Sequence, residues 1–305
     1  MAKRLGIALL LLALIAGAVL WVLTTPATIA ASALPDRTPD LANGKVAFDA
    51  GGCASCHATP GQEDRTRLGG GLAMTSPFGT FNVPNISPDP ATGIGKWSEA
   101  EFVTAVMRGT APDGAHLYPA FPYPSYAHAK VDDVRDLFAY IKTLPAVSAT
   151  APPHELPFPF NIRRAVGLWK LLFFDTKPFT PDPAQSAQWN RGAYLVNSLG
   201  HCAECHSPRN ALGGIVSAQR FAGGPDPEGK GWVPNITQKG LKDWSEKDLA
   251  YFLESGMTPD GDSAGGSMAR VIRNTSLLSA EDRAAIAVYL KSLPPVDGPA
   301  RPPRK

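Results

Sequence analysis

Two pentapeptides constrain this chain more than anything else in it: Cys53-Ala54-Ser55-Cys56-His57 and Cys202-Ala203-Glu204-Cys205-His206. Each sets two thiols on one helical turn and a histidine directly after them. That spacing is the attachment signature of c-type haem. Both thiols can bond the vinyl edges of one porphyrin, and the imidazole turns under the ring as the proximal iron ligand. A structural zinc site needs its two Cys pairs close together, but Cys53 and Cys202 are 149 positions apart. A redox dithiol belongs in a βαβ setting, and none surrounds either pair. The chain has four cysteines, so two haems use all of them and no disulfide is predicted. Haem c is attached outside the bacterial cytoplasm, which places the folded part in an oxidising compartment.

The rest of the sequence repeats around the two motifs. Val83-Pro84-Asn85-Ile86 returns as Val233-Pro234-Asn235-Ile236, Trp97-Ser98-Glu99 as Trp244-Ser245-Glu246, and Pro112-Asp113-Gly114 as Pro259-Asp260-Gly261. The 305 residues therefore divide into two copies of one domain, over 39–146 and 187–295. Each reads as a small all-α cytochrome c-like unit. An opening helix carries Gly44 and Phe48 in the first copy, Gly192 and Tyr194 in the second. A glycine there lets a partner helix cross closely. The partner is the closing helix, Val131–Leu144 or Ala280–Leu293, where Val134, Leu137, Phe138 and Ile141 recur at helical spacing, as do Ala285, Ile286, Tyr289 and Leu290. A middle helix starts after Trp97-Ser98 and Trp244-Ser245, with serine as N-cap; only Ser98 with Glu101 matches a full capping box. Gly109 and Gly256 end these helices. Trp97 and Trp244 read as core or haem-packing side chains. High glycine and proline, 29 and 30 residues, suit loop-rich domains whose core is largely porphyrin. A net charge of +2 argues against nucleic acid as a partner.

Lys3 and Arg4 precede an uncharged apolar run, Leu5–Leu23. It is long enough to cross a bilayer, and the basic flank keeps its start in the cytoplasm. Residues 1–24 are expected to be a retained membrane anchor. The alternative is a signal sequence cleaved near Ala31-Ser32-Ala33. Residues 25–38 read as a Pro/Ala-rich stalk with no packing pattern.

A low-spin electron carrier needs a second axial ligand, usually Met or His. In the second copy Met268, seven positions past Gly261, is that candidate, in a flexible loop before the closing helix. The same count past Gly114 reaches Phe121, which cannot ligate iron. His128 is the candidate taken for the first haem; Met107 and Met74 are alternatives, and an open or water-bound iron is another. The linker, 147–186, is Pro-rich and then apolar. Ala165-Val166-Gly167-Leu168-Trp169-Lys170-Leu171-Leu172-Phe173-Phe174 reads as a short helix, too short to span a bilayer. It either packs between the domains or docks a partner or the membrane interface. The tail, 296–305, is expected to be disordered.

Four stretches carry a resemblance: Val83-Pro84-Asn85-Ile86, Gly95-Lys96-Trp97-Ser98, His116-Leu117-Tyr118-Pro119-Ala120-Phe121-Pro122-Tyr123, and Leu156-Pro157-Phe158-Pro159-Phe160-Asn161. With the haem motifs, they resemble the membrane-anchored multihaem c-type cytochromes that accept electrons from bacterial periplasmic dehydrogenases. The resemblance covers nearly all of the chain after the anchor. It implies a shuttle of single electrons from a dehydrogenase subunit towards quinone or a downstream oxidase or cytochrome, on the periplasmic face of the membrane, with catalysis left to the partner. Many members carry Met where Phe121 or Ala129 stands here. Members serving alcohol dehydrogenases often carry three haems, whereas this chain has two motifs. The competing expectation is a haem enzyme reacting with peroxide or a sulfur compound at an open first haem.

Overall fold

The computed structural model describes residues 1–229 and 231–301. Its elements run α1 (Ala2–Leu23), α2 (Leu41–Ala50), α3 (Cys53–His57), β1 (Ala73–Ser76), β2 (Gly79–Asn82), α4 (Glu99–Arg108), α5 (Tyr123–Tyr126) and α6 (Val131–Ile141). They continue with α7 (Val166–Phe173), α8 (Ala187–Asn197), α9 (Ala203–His206), β3 (Gly224–Pro225), β4 (Trp232–Val233), α10 (Gln238–Leu241), α11 (Glu246–Ser255), α12 (Gly266–Thr275) and α13 (Ala280–Ser292). The two small antiparallel hairpins, β1–β2 and β3–β4, are local to their copies. The helical class and the tandem domains expected from the repeat are both present.

In each copy the opening helix crosses the closing helix at a glycine. A Cβ added to Gly44 of α2 would lie 2.2 Å from the Asp136 carbonyl oxygen of α6. One added to Gly192 of α8 would lie 1.9 Å from that of Ala285 on α13. Phe48, Val134, Leu137, Phe138 and Ile141 are buried around the first crossing, and Tyr194, Leu195, Ile286 and Leu290 around the second. The middle helices α4 and α11 both begin with a capping box, Ser98 with Glu101 and Ser245 with Asp248. The second box was not expected, because aspartate is shorter than the usual glutamate. Here its carboxylate still accepts from the Ser245 backbone N–H at 2.8 Å. Gly109 and Gly256 end these helices in the left-handed conformation, as expected.

Two segments expected to be loose are built into the fold. In the stretch 25–38, Ile29 and Leu34 pack on the core. The Ile29 N–H donates to Thr104 Oγ1 at 2.9 Å, and Arg37 forks onto Asp136 at 2.5 and 3.1 Å. The sequence hid this because the anchoring groups are two isolated apolar side chains and one arginine, which make no periodic pattern. Of the tail, residues 302–305 lie outside the described residues. Val296 and Asp297 are held: the Val296 N–H donates to Thr237 Oγ1 at 3.2 Å, and Gln219 Nε2 donates to the Asp297 carbonyl at 3.0 Å. Met268, expected in a flexible loop, lies in the first turn of α12.

Asp136 is nearly sealed from solvent. Burial pushes its carboxyl up, but the Arg37 and Asn43 side chains and the Asp40 N–H outweigh that and hold it below the usual carboxylate range. Its stabilising contribution is present above about pH 4 and is lost as pH falls through the lowered value. Limited proteolysis within 25–38 should accelerate on acidification below about pH 4 and should do so at neutral pH in Asp136→Asn. Gly44→Ala and Gly192→Ala should each destabilise their own domain by about 1–3 kcal/mol or more through overpacking, read as a lower denaturant midpoint. Gly265→Ala, with open space around it and an ordinary φ, should leave the midpoint unchanged.

Candidate functional site

The two pentapeptides fold alike. Cys53–His57 is the short helix α3, entered through Gly52 at φ 61°. Cys202 caps α9, Ala203–His206, and follows His201 at φ 39°. The histidines are oriented by the repeat that follows them. His57 Nδ1 lies 2.8 Å from the Pro84 carbonyl, and His206 Nδ1 lies 2.8 Å from that of Pro234. A carbonyl only accepts, so Nδ1 carries the proton and the Nε2 lone pair is left for a metal. Burial pushes His57 down to about 4, against the pull of the Pro84 carbonyl, which keeps the ring neutral. His206 is lowered for the same reason.

The asparagine after each proline locks this arrangement. Asn85 Nδ2 donates to the Val147 carbonyl at 2.6 Å, and Asn235 Nδ2 to that of Val296 at 2.8 Å. In both copies the anchored carbonyl comes just after the closing helix. The N–H groups of Gly70 and Gly223 bond the His57 and His206 carbonyls at 2.8 Å. Both glycines have positive φ and leave no room for a Cβ. The Val-Pro-Asn-Ile repeat is thus a clamp between the motif histidine and the end of the domain.

The donor set fits two covalently bound haems. Among the described residues no three His, Cys, Asp or Glu side chains converge to hold a bare metal ion. The thiols of Cys53 and Cys202, partly exposed but crowded, are pushed up by desolvation to about 12 and about 11, unlike reactive thiolates. Partly buried side chains border the core in both copies: Cys53, Ile86, Trp97 and Phe121 in one, Cys202, Ile236, Trp244 and Met268 in the other.

The remaining candidates separate. The structure places His128 towards the linker: its Nδ1 lies 2.6 Å from the Lys177 carbonyl, and its own carbonyl accepts from the Phe179 N–H. It borders a cleft with Trp169, Phe173 and Glu204, the last from the second motif. The sequence could not show this, because the linker returns across the loop before α6. Met107 is a buried core residue of α4, and Met74 pairs with Phe81 across the β1–β2 hairpin.

Sequence reasoning missed how the two motifs meet. Asn274 of α12, in the second copy, donates from Nδ2 to Ser55 Oγ of the first motif at 2.5 Å. Ser125 of α5, in the first copy, donates to Glu204 Oε1 of the second motif at 2.8 Å. Asn274 is equivalent to Ser125, and Glu204 to Ser55; both pairs are 149 positions apart, the same offset as the motif cysteines. The contact is therefore reciprocal, as in a two-fold dimer. Between the two bonds, the His201 ring packs edge-on against Tyr126 with centroids 5.6 Å apart. Glu204 is buried, and its second oxygen accepts from Arg209 at 2.6 Å. The shared offset was a readable signal for the four polar residues.

The chain is similar to known proteins in sequence. The family model described as cytochrome c matches residues 41–145 and again 189–294. A dihaem cytochrome c-type protein of Cereibacter sphaeroides is 50% identical over 96% of this chain and 98% of its own length. The fructose dehydrogenase cytochrome subunit of Gluconobacter japonicus is 39% identical over 84% of this chain, which spans 53% of that protein. The gluconate 2-dehydrogenase cytochrome c subunit of Pantoea cypripedii is 36% identical over 87% of this chain, which spans 63% of it.

Glu204→Gln removes a buried negative charge from within the second motif. Charge beside a haem tunes its potential, so one of the two potentials should rise in a redox titration while the other stays in place.

Proposed function

Because this chain belongs to the cytochrome c family, whose domain it carries twice, we propose that it is a membrane-anchored conduit for single electrons. Its two haems are bound covalently. We assign their thioether bonds to Cys53 and Cys56 and to Cys202 and Cys205, their proximal ligands to His57 and His206, and the second axial ligand of the second haem to Met268. Bound haem supplies one-electron redox chemistry. The polypeptide orients each imidazole through Pro84 or Pro234 and walls off each motif with apolar side chains. The observation that carries the reading is the reciprocal contact of the two attachment helices. It ties each attachment helix to the other domain by a direct hydrogen bond, which is what a conduit between two haems needs.

The electron donor is a dehydrogenase subunit, as the relatives' names support; the acceptor is quinone or a downstream oxidase or cytochrome. The reading of a reactive, open first haem finds no support among relatives named as cytochromes or dehydrogenase subunits. The protein sits on the periplasmic face of the cytoplasmic membrane, held by α1. This helix has 22 residues, about 33 Å at ~1.5 Å per residue, and none of its residues is buried. Its last turn supports retention over cleavage. Buried Thr24 accepts at its carbonyl from His116 Nε2 at 2.9 Å, and processing near Ala31-Ser32-Ala33 would sever a segment docked on the first domain.

The purified protein should keep a haem stain after denaturing electrophoresis and carry two haems per chain; a stain absent or halved overturns the reading. N-terminal sequencing of membrane-derived protein should begin at Met1 or Ala2, not beyond residue 33. Met268→Ala should abolish the sulfur-to-iron charge-transfer band of the oxidised protein while leaving haem content unchanged; an unaltered band would move the ligand elsewhere.

A further inference from the structure

We propose that α7 and the loop before it lie in the headgroup layer of the bilayer that α1 spans, giving the protein a second membrane contact beside its anchor. The proposal rests on α1 being retained.

Helix α7 has two unlike faces. Val166 and Gly167 are buried, and Lys170 Nζ donates to the Arg108 and Gly109 carbonyls at 2.7 Å each, pinning the helix onto the end of α4. On the other side Leu168, Leu171 and Leu172 are 44%, 50% and 66% exposed. The apolar surface continues beyond the helix. Trp169 Nε1 donates to the carbonyl of exposed Leu212 at 3.0 Å. The next residue, Gly213, faces Phe78, whose ring meets that of exposed Phe160 at 5.1 Å. A contiguous apolar patch of this kind is uncommon on a water-facing surface. An amphipathic helix with such a face lies in the plane of a membrane interface.

Its position selects lipid as the occupant. Helix α7 begins where α1 ends: a Cβ added to Gly167 would lie 2.6 Å from that of Thr24. Arg164 stacks over the Trp21 ring at 4.2 Å and donates to the Trp21 carbonyl. The hydrocarbon layer is about 30 Å thick, so the last turn of α1 reaches its outer boundary, where tryptophan and arginine are favoured. The patch is thus continuous with the point where the chain leaves the bilayer. A protein partner covering it would have to wedge between the domain and the lipid surface.

Full-length holoprotein in liposomes of phosphatidylethanolamine and phosphatidylglycerol tests this by electron paramagnetic resonance. A nitroxide is placed at Leu172→Cys, at Leu12→Cys in α1, or at Tyr251→Cys on exposed α11; with haem on the four native cysteines, the new thiol alone takes the label. The Leu172 and Leu12 labels should collide several-fold more with oxygen than with a water-soluble nickel chelate, and the Tyr251 label the reverse. If the Leu172 label behaves like the Tyr251 label while Leu12 reports lipid, the second contact is overturned and the anchor stands. Loss of collisions with both reagents at Leu172 means that protein covers the patch, which also overturns the proposal. A water-like Leu12 label overturns the anchor and this contact together.

Discussion

The hydrogen bond from each motif histidine to a proline carbonyl ties local chemistry to the whole domain. It selects the Nδ1–H tautomer, so the other ring nitrogen is presented as a neutral donor. The same loop supplies an asparagine that grips the chain just after the closing helix. The closing helix is held at its other side by the glycine crossing with the opening helix, which leads straight into the motif. Each domain is therefore a closed circuit, in which the ligand's orientation and the packing of the terminal helices are one problem. This suits a small domain with much loop, whose polypeptide core alone is modest and where a prosthetic group completes the interior.

The two circuits are joined at their functional ends. The polar bonds of that contact come from the residue before the second cysteine of each C-x-x-C stretch and from a residue on the helix facing it. One strand of the contact uses a serine and an asparagine; the other uses a glutamate and a serine. The exchange breaks the symmetry electrically, because Glu204 brings a charge that Ser55 does not, and Arg209 must then pair it. A buried carboxylate without that partner would be costly. The copies also differ at Phe121 and Met268. Duplication supplied one geometry twice, and these few substitutions separate the properties of the two sites.

Helix α1 does not hang free of the globular part. Its exit is packed against α7, and the chain that follows it is bonded to α4 and α6. Orientation at a membrane then follows from packing rather than from a flexible tether, since rotating the first domain would tear Thr24 from His116 and Trp21 from Arg164.

Much of this was legible in the sequence, since the features concerned are local or periodic. Cysteine spacing depends on one helical turn, the apolar run on length alone, and the duplication on pattern matching along the chain. Caps at Ser98, Gly109 and Gly256 are nearest-neighbour chemistry, and Gly44 and Gly192 announced their crossings by standing on an apolar face. What only the tertiary structure decided was which distant groups meet. His128 met the linker only in the fold, where the Lys177 carbonyl takes its Nδ1. Arg37 and Ile29 looked like stalk until Asp136 and Thr104 received them. Ser55 and Asn274 meet only where the two folded domains touch. Such contacts join groups far apart along the chain, so no periodicity encodes them; packing selects among many possible partners by shape and by the cost of leaving a buried polar group unpaired.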